Sequence, residues 1–418
     1  MSVGIQPGEI ARRAGSSGLV PMLVLTSVVF GAGAIQKSFC ANRSYAEKRE
    51  GVSFQCYSDV GVLLFNEQLE RGRLPYVDAC RPSPVDCDEY PVLTMYVMRA
   101  AASFPGGGDP YVRFYWTNAA LLLVCALITT YCLVRLGAKT ELFAAAPTLA
   151  IYGTMNWDLI PVALAAIATV AFFRRRDTTA GALLGIGAAA KVFPAFIVIA
   201  FLGQRLHDRD RRGASRLVLS SAAAWLAVNL PFAISAPGGW WHFFRYSSER
   251  PADHGTLWRV LCESPFCPST QLENVLSLAI IVGGSAWLWF LLARRSPGFQ
   301  RWTMAFPMLL LFFVASKVTS SQYILWLLPW FALTARAFVP YAIEQFTEVL
   351  VYVTIFSFFG TLQGGSGVSY QVVAICLVAR GFALIGCLVV WLRSMLGRRP
   401  RQSSMTISSI TTSSIGLS

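Results

Sequence analysis

One carboxylate and three cations stand out in this chain, because each is set against apolar sequence. Asp59 lies in the stretch Cys56 to Pro91, which reads CYSDVGVLLFNEQLERGRLPYVDACRPSPVDCDEYP and follows the first apolar run, with Phe54, Tyr57 and Val60 nearby. Lys191 interrupts a Gly/Ala-rich apolar run, Lys317 stands beside Thr319, Ser320, Ser321 and Gln322, and Arg380 falls roughly 15 Å along the final apolar span. Ionisable groups at membrane depth are costly and usually functional. Fixed Lys and Arg donors stabilise the charge that develops on a departing lipid phosphate, while a carboxylate can accept the proton of an attacking sugar hydroxyl. The chemistry these four residues suit is group transfer from an anionic lipid. It calls for no metal or other cofactor, and the chain has three histidines and no His/Cys ligand spacing.

Each residue also has a plainer reading. Asp is a favoured helix N-cap, and a helical pattern follows Asp59. A lysine at the tip of a broken helix can snorkel to the interface. Arg380 needs an anion, and a membrane-embedded Asp or Glu would serve, although few such acids are available.

The elements that must hold these residues are membrane helices. Hydrophobic residues make up 55% of the 418 positions and charged residues 14%, an apolar content beyond that of ordinary globular domains. Repeated apolar runs of roughly 18 to 23 residues match a bilayer core of about 30 Å. The first, Leu19 to Ile35, follows Arg12 and Arg13; lacking a convincing small-residue cleavage site, it reads as a retained helix. The net charge of +13 does not point to nucleic acid, because the basic residues fall in short inter-helix clusters. Arg135/Lys139, Arg174 to Arg176, Arg205 to Arg212, Arg294 to Arg301, Arg336 and Arg393 to Arg401 mark a cytoplasmic face.

That bias defines the organisation. Residues 1–18 form a cytoplasmic N-terminus, 19–395 a transmembrane domain and 396–418 a disordered cytoplasmic tail. Outer loops occupy 37–109, which holds ten of the 22 acidic residues, and 235–271. Within the first loop, Val92 to Ala102 is apolar but short, and reads as an interfacial helix. The run Thr179 to Gly203 carries arginine clusters at both ends, so a single crossing would invert every later loop. Lys191-Val192-Phe193-Pro194 instead breaks it into a short hairpin, since proline removes a backbone donor and disfavours helix before it. Counting the hairpin as two, about twelve helices result. Cys40, Cys56, Cys80, Cys87, Cys262 and Cys267 all fall in the outer loops, where disulfides form; Cys80/Cys87 and Cys262/Cys267 are close enough to pair locally.

Several motifs then fall into a set. Tyr57-Ser58-Asp59, Arg73-Leu74-Pro75-Tyr76, Glu89-Tyr90-Pro91, Asn156-Trp157-Asp158, the run Gly185 to Pro194 and Ser321-Gln322-Tyr323 through Pro329 resemble the motifs of glycosyltransferase family 87, over roughly Tyr57 to Arg393. The resemblance implies an all-α polytopic GT-C fold and a membrane enzyme that uses polyprenyl-phosphate-mannose at an extracytoplasmic site. It implies inversion from a β-linked donor to an α-mannoside, with Asp59 as general base. Lys191, Arg380 and Lys317 become donor-phosphate ligands, and Tyr57, Glu89, Tyr90, Asp158, Arg250, His254, Gln322 and Tyr323 substrate-binding residues. The expected partners are the lipid-linked donor, membrane lipid, and a glycolipid or polysaccharide acceptor. Val92 replaces a second proline common after Glu-Tyr-Pro, and His254-Gly255-Thr256 departs from the usual pattern, which leaves the acceptor open. Competing readings are an arabinosyltransferase and, from another class, a lipid or glycolipid transporter. The large cysteine-bearing loop favours the enzyme.

Overall fold

The computed structural model of the chain describes residues 18–42, 54–80 and 87–397, and these are helical with no strand. In order the helices are α1 (Leu19–Ser38), α2 (Asp59–Asn66), α3 (Val92–Ala102), α4 (Pro110–Arg135), α5 (Glu141–Ala144), α6 (Pro147–Tyr152), α7 (Leu159–Phe173), α8 (Asp177–Ala188), α9 (Pro194–His207), α10 (Arg211–Ser235), α11 (Pro237–Glu249), α12 (Leu257–Cys262), α13 (Thr270–Arg295), α14 (Ala305–Ala315), α15 (Ile324–Thr334), α16 (Phe338–Leu362) and α17 (Tyr370–Leu396). The cytoplasmic N-terminus and the disordered cytoplasmic tail expected from the sequence lie outside the described residues, at positions through 17 and from 398.

Among the described residues, six helices have the length and hydropathy to cross a membrane alone: α1, α4, α10, α13, α16 and α17. The other expected crossings are shorter. An apolar run over Leu142 to Gly153, expected from its sequence to be one crossing, is instead two pieces, α5 and α6, parted where Pro147 opens α6. Helices α14 and α15 have 11 residues each and continue from short 3-10 turns at Arg301–Met304 and Ser321–Tyr323, still short of a bilayer core of about 30 Å. They are stable because they are central. Every residue from Ile324 to Ala332 is buried, and a helix that is apolar all round belongs inside a protein. The long helices surround this centre, and α10 shows its lipid-facing character in having only 11% of its most apolar window buried.

The break at Lys191 is present, between the end of α8 at Ala188 and the start of α9 at Pro194. Its freed carbonyls are covered by protein: the Leu93 amide donates to the Ala189 carbonyl at 3.1 Å, and Thr94 Oγ1 to that of Ala190 at 2.9 Å. Both donors come from the first turn of α3, so the short helix of the outer loop closes the broken helix as irregular backbone in lipid demands. On its other side α8 packs on α10 through Gly181 and Gly185. A β-carbon on Gly185 would lie 2.1 Å from the Ser221 carbonyl oxygen, so only a small residue permits this approach.

The outer loop is fastened internally. Arg73 pairs with both carboxylate oxygens of Asp88, at 3.1 and 2.5 Å, and lies 3.6 Å from Glu67. Glu67 in turn accepts the backbone N–H groups of Asp88 and Glu89 at 2.8 and 3.2 Å. Gln68, Tyr76 and Asp88 hold left-handed backbone with φ of 55, 64 and 64°, a conformation that costs a non-glycine residue about 1–2 kcal/mol; the three-way ion cluster is what over-determines it. Disulfides join Cys40 to Cys56, Cys80 to Cys87 and Cys262 to Cys267.

Candidate active site

Helix α2 begins beside the turn that joins α6 to α7. Ser58, not Asp59, caps it: the Ser58 hydroxyl accepts the Val60 N–H at 3.2 Å and donates to the Thr154 carbonyl at 2.6 Å. The capping task that could have explained Asp59 is therefore taken by its neighbour. The Asp59 amide donates to the Met155 carbonyl at 2.9 Å, which fixes α2 to the 153–158 turn.

The Asp59 carboxylate is a point of convergence. Its Oδ2 accepts from Asn156 Nδ2 at 2.8 Å, Tyr90 Oη at 3.3 Å and Gln322 Nε2 at 3.4 Å, and Tyr57 also hydrogen-bonds the group. Asn156 reaches Tyr90 Oη as well, at 2.6 Å. Its own oxygen accepts the Trp157 N–H at 2.5 Å, so the amide is oriented with its nitrogen toward Asp59. Trp157 is held by Asn118 at 2.7 Å. Asp59, Tyr57, Tyr90 and Tyr323 are half-buried and Asn156, Gln322 and Lys191 buried, which gives the site an accessible side and a closed floor. Surrounding protein pushes the Asp59 carboxyl above its ordinary range, against the opposing pull of the Tyr57 and Asn156 hydrogen bonds and the Lys191 charge.

Lys191 completes the floor. Its ammonium lies 3.7 Å from Asp158 Oδ1 and 4.7 and 4.8 Å from the ring centres of Tyr90 and Tyr323, within cation–π range. Trp326 Nε1 donates to the same Asp158 oxygen at 2.8 Å, and its indole is stacked between Tyr323 and Phe193 at 4.1 and 4.8 Å. Asp158 Oδ2 is buried without a partner among the described residues. Asp158 thus supports the lysine, and Lys191 is not a snorkelling side chain.

The remaining expected residues are engaged elsewhere. Arg380 meets Glu348 at 3.4 Å and the Gly255 carbonyl at 2.5 Å, so the anion its depth demands is a buried glutamate, itself bonded by Tyr152 at 3.1 Å. Lys317 donates to the carbonyls of Ser248 and Arg250 at 2.8 and 2.7 Å. Arg250 lies 3.4 Å from Asp253, and His254 sits among Phe358, Phe359 and Tyr370. Arg380, Lys317 and His254 fasten the 248–257 segment to the rest of the protein, and Arg250 braces it from within. Glu89 donates its backbone N–H to Glu67.

Two contributors carried no assigned role in the sequence reading. Asn156 was legible only as part of a motif, although a polar residue in a tight turn between apolar runs is a signal. Lys37 marked only a loop boundary, yet it is 1% exposed and donates to the Tyr57 carbonyl at 3.0 Å and to Tyr352 Oη at 3.2 Å. With the adjacent Cys40–Cys56 bridge it fixes the chain two residues before Asp59.

Among the described residues the protein is all-helical, and a carboxylate, three tyrosines, two amides and a lysine from five segments are drawn together in it. The chain belongs to glycosyltransferase family 87, whose model matches residues 90–316, more than half of its length. It is a membrane glycosyltransferase. The matched range contains Tyr90, Asn156, Asp158 and Lys191 and stops short of Asp59 and Gln322. No curated protein sequence matches the chain. Among solved structures it is similar to ArnT from Cupriavidus metallidurans bound to undecaprenyl phosphate, at 14% identity and a TM-score of 0.44, over 92% of this chain and 79% of that one.

Proposed function

We propose that the protein is a GT-C enzyme that transfers mannose, with inversion, from polyprenyl-phosphate-mannose to a glycolipid or polysaccharide acceptor on the extracytoplasmic face. The observation that carries this reading is the convergence of Tyr90, Asn156 and Gln322 on one oxygen of Asp59, with Lys191 packed against the same tyrosine. An acceptor hydroxyl attacks C1 of the sugar opposite the phosphate. As the new C1–O bond forms, its proton passes to Asp59, and the C1–O bond to phosphate breaks with the electron pair going to the lipid phosphate. A pKa raised by burial makes the ionised Asp59 a better proton acceptor than a solvated carboxylate. Lys191 is the cation assigned to the leaving phosphate, acting where protein excludes water. It is shared with Asp158, so phosphate arrival must draw the ammonium from one anion toward another. Arg380 and Lys317, expected beside it, serve this reading by fixing the 248–257 segment.

The test is incubation of purified protein with labelled polyprenyl-phosphate-mannose or polyprenyl-phosphate-arabinose and extracted envelope lipids. The proposal expects label to pass from the mannosyl donor to a lipid or glycan product. Transfer from the pentosyl donor alone reassigns the substrate, and movement of intact lipid without transfer would sink the enzymatic reading.

A further inference from the structure

At the opposite end of α2 from Asp59 lies a cavity of about 260 Å³, with Leu64, Ala101 and Phe114 on its apolar side and Glu70, Arg71 and Arg113 on its polar side. The carboxylate is partly occupied: Glu70 accepts from Tyr111 Oη at 3.1 Å and lies 3.9 Å from Arg71 Nε. Arg113 spends one N–H on the Gly106 carbonyl, at 2.8 Å. The cavity therefore presents two guanidinium groups against one carboxylate, and the Arg71 side chain remains 50% exposed.

Three features say what such a site takes. Arg71 and Arg113 outnumber the single carboxylate Glu70 on the cavity wall, so the cavity favours an anion. Arg113 is in the first turn of α4, a 26-residue membrane-length helix, which sets the cavity at the level where that helix enters the bilayer. Two residues along the chain from the lining residues Ala102 and Phe114, Phe104 and Trp116 are 58% and 43% exposed, as aromatic residues are at a lipid interface. The volume is too small for a whole lipid, since sites for drug-sized ligands span about 300–1,000 Å³, and it suits a headgroup.

We propose that this cavity binds the phosphodiester of a membrane lipid, with the Arg71 and Arg113 guanidinium groups on its oxygens and the acyl chains running past Phe104 and Trp116. Guanidinium forks match phosphate oxygens two at a time. Bulk anionic phospholipid and a phosphodiester-bearing glycolipid acceptor share this chemistry. The proposal does not depend on the assignment of Asp59, because its readout is lipid binding.

The experiment uses the full chain in detergent, titrated with phosphatidylglycerol or with diacylglycerol, which lacks the phosphodiester, with bound lipid counted by native mass spectrometry. The wild type is expected to hold phosphatidylglycerol preferentially, and Arg71→Gln/Arg113→Gln to lose roughly ten- to 150-fold in affinity. Glu70→Gln removes the competing carboxylate and should tighten binding; should the double variant fail to fold, this single variant decides the matter. Displacement of bound phosphatidylglycerol by a phosphodiester glycolipid identifies the acceptor as an occupant, and resistance to displacement identifies bulk lipid; either supports the site. A wild type indifferent to the phosphodiester, a folded double variant with undiminished affinity, or a Glu70→Gln protein that binds no better would overturn it.

Discussion

Replacing Asp59 with Asn separates chemistry from structure at this site. Because Ser58 already caps α2, the substitution removes no cap. The three donors on Oδ2, at 2.8, 3.3 and 3.4 Å, still meet an oxygen if the Asn amide oxygen takes that place. Each bond weakens from the charged class, about 1.5–3 kcal/mol, toward the neutral one, about 0.5–1.5 kcal/mol. That loss is offset by relief of the desolvation that raises the Asp59 pKa, so folding should change by about 1 kcal/mol or less. The transfer rate should fall about 10²- to 10⁴-fold, because the amide cannot take the hydroxyl proton; this is about 2.7–5.5 kcal/mol of barrier. Steady-state kinetics with varied donor should place the loss in kcat and leave KM nearly unchanged, with thermal unfolding as the control for structure. Turnover within threefold of wild type, in a folded protein, would refute the assignment and move the search for a base to Asp158, Glu89 or His254.

Other outcomes follow from the same geometry. A general base must be ionised, so with a raised Asp59 pKa the rate should climb with pH through a midpoint above the ordinary carboxylate value of about 3.9. Asn156→Ala, which deletes a bond that favours the ionised form, should move that midpoint higher in a pH–kcat/KM profile. Lys191→Met alone strands the buried Asp158, so the informative variant is Lys191→Met/Asp158→Asn, whose donor affinity should fall roughly ten- to 150-fold by titration. Arg380→Ala breaks a buried ion pair and should cost about 3–5 kcal/mol in stability, whereas Arg380→Met/Glu348→Gln should fold and bind donor normally in the same titration. A cysteine placed at Ser215 should resist membrane-impermeant label in intact cells, as the cytoplasmic assignment of Arg205 to Arg216 requires, and external labelling would overturn the hairpin topology.

Much of the frame was legible because proline and length speak locally. Pro194 ends the 179–203 run as a single helix, and the structure breaks it there; Val92 to Ala102 was too short to cross, and forms an 11-residue helix that covers the break. The motif set brought Asp59, Tyr90, Gln322 and Lys191 forward together, although Asp59 and Gln322 are 263 residues apart. Pairing across space was not legible. Glu348 lies at the border of an apolar run, where nothing in the periodicity assigns it to Arg380, and Arg73, Asp88 and Glu67 look like surface charges until the loop folds them inward. Burial was not legible either: α14 and α15 are short, apolar all round and buried at the centre, while the six membrane-length helices are other elements.

The most direct test of the central claim is the anomeric configuration of the product formed from a β-linked polyprenyl-phosphate-mannose donor, read from the C1–H1 coupling of the isolated glycoside. Direct displacement at C1, with the proton taken by Asp59, predicts an α-linked mannoside made by the wild type and scarcely at all by Asp59→Asn. A β-linked product, or an α-linked product formed equally well without the carboxylate, would contradict it.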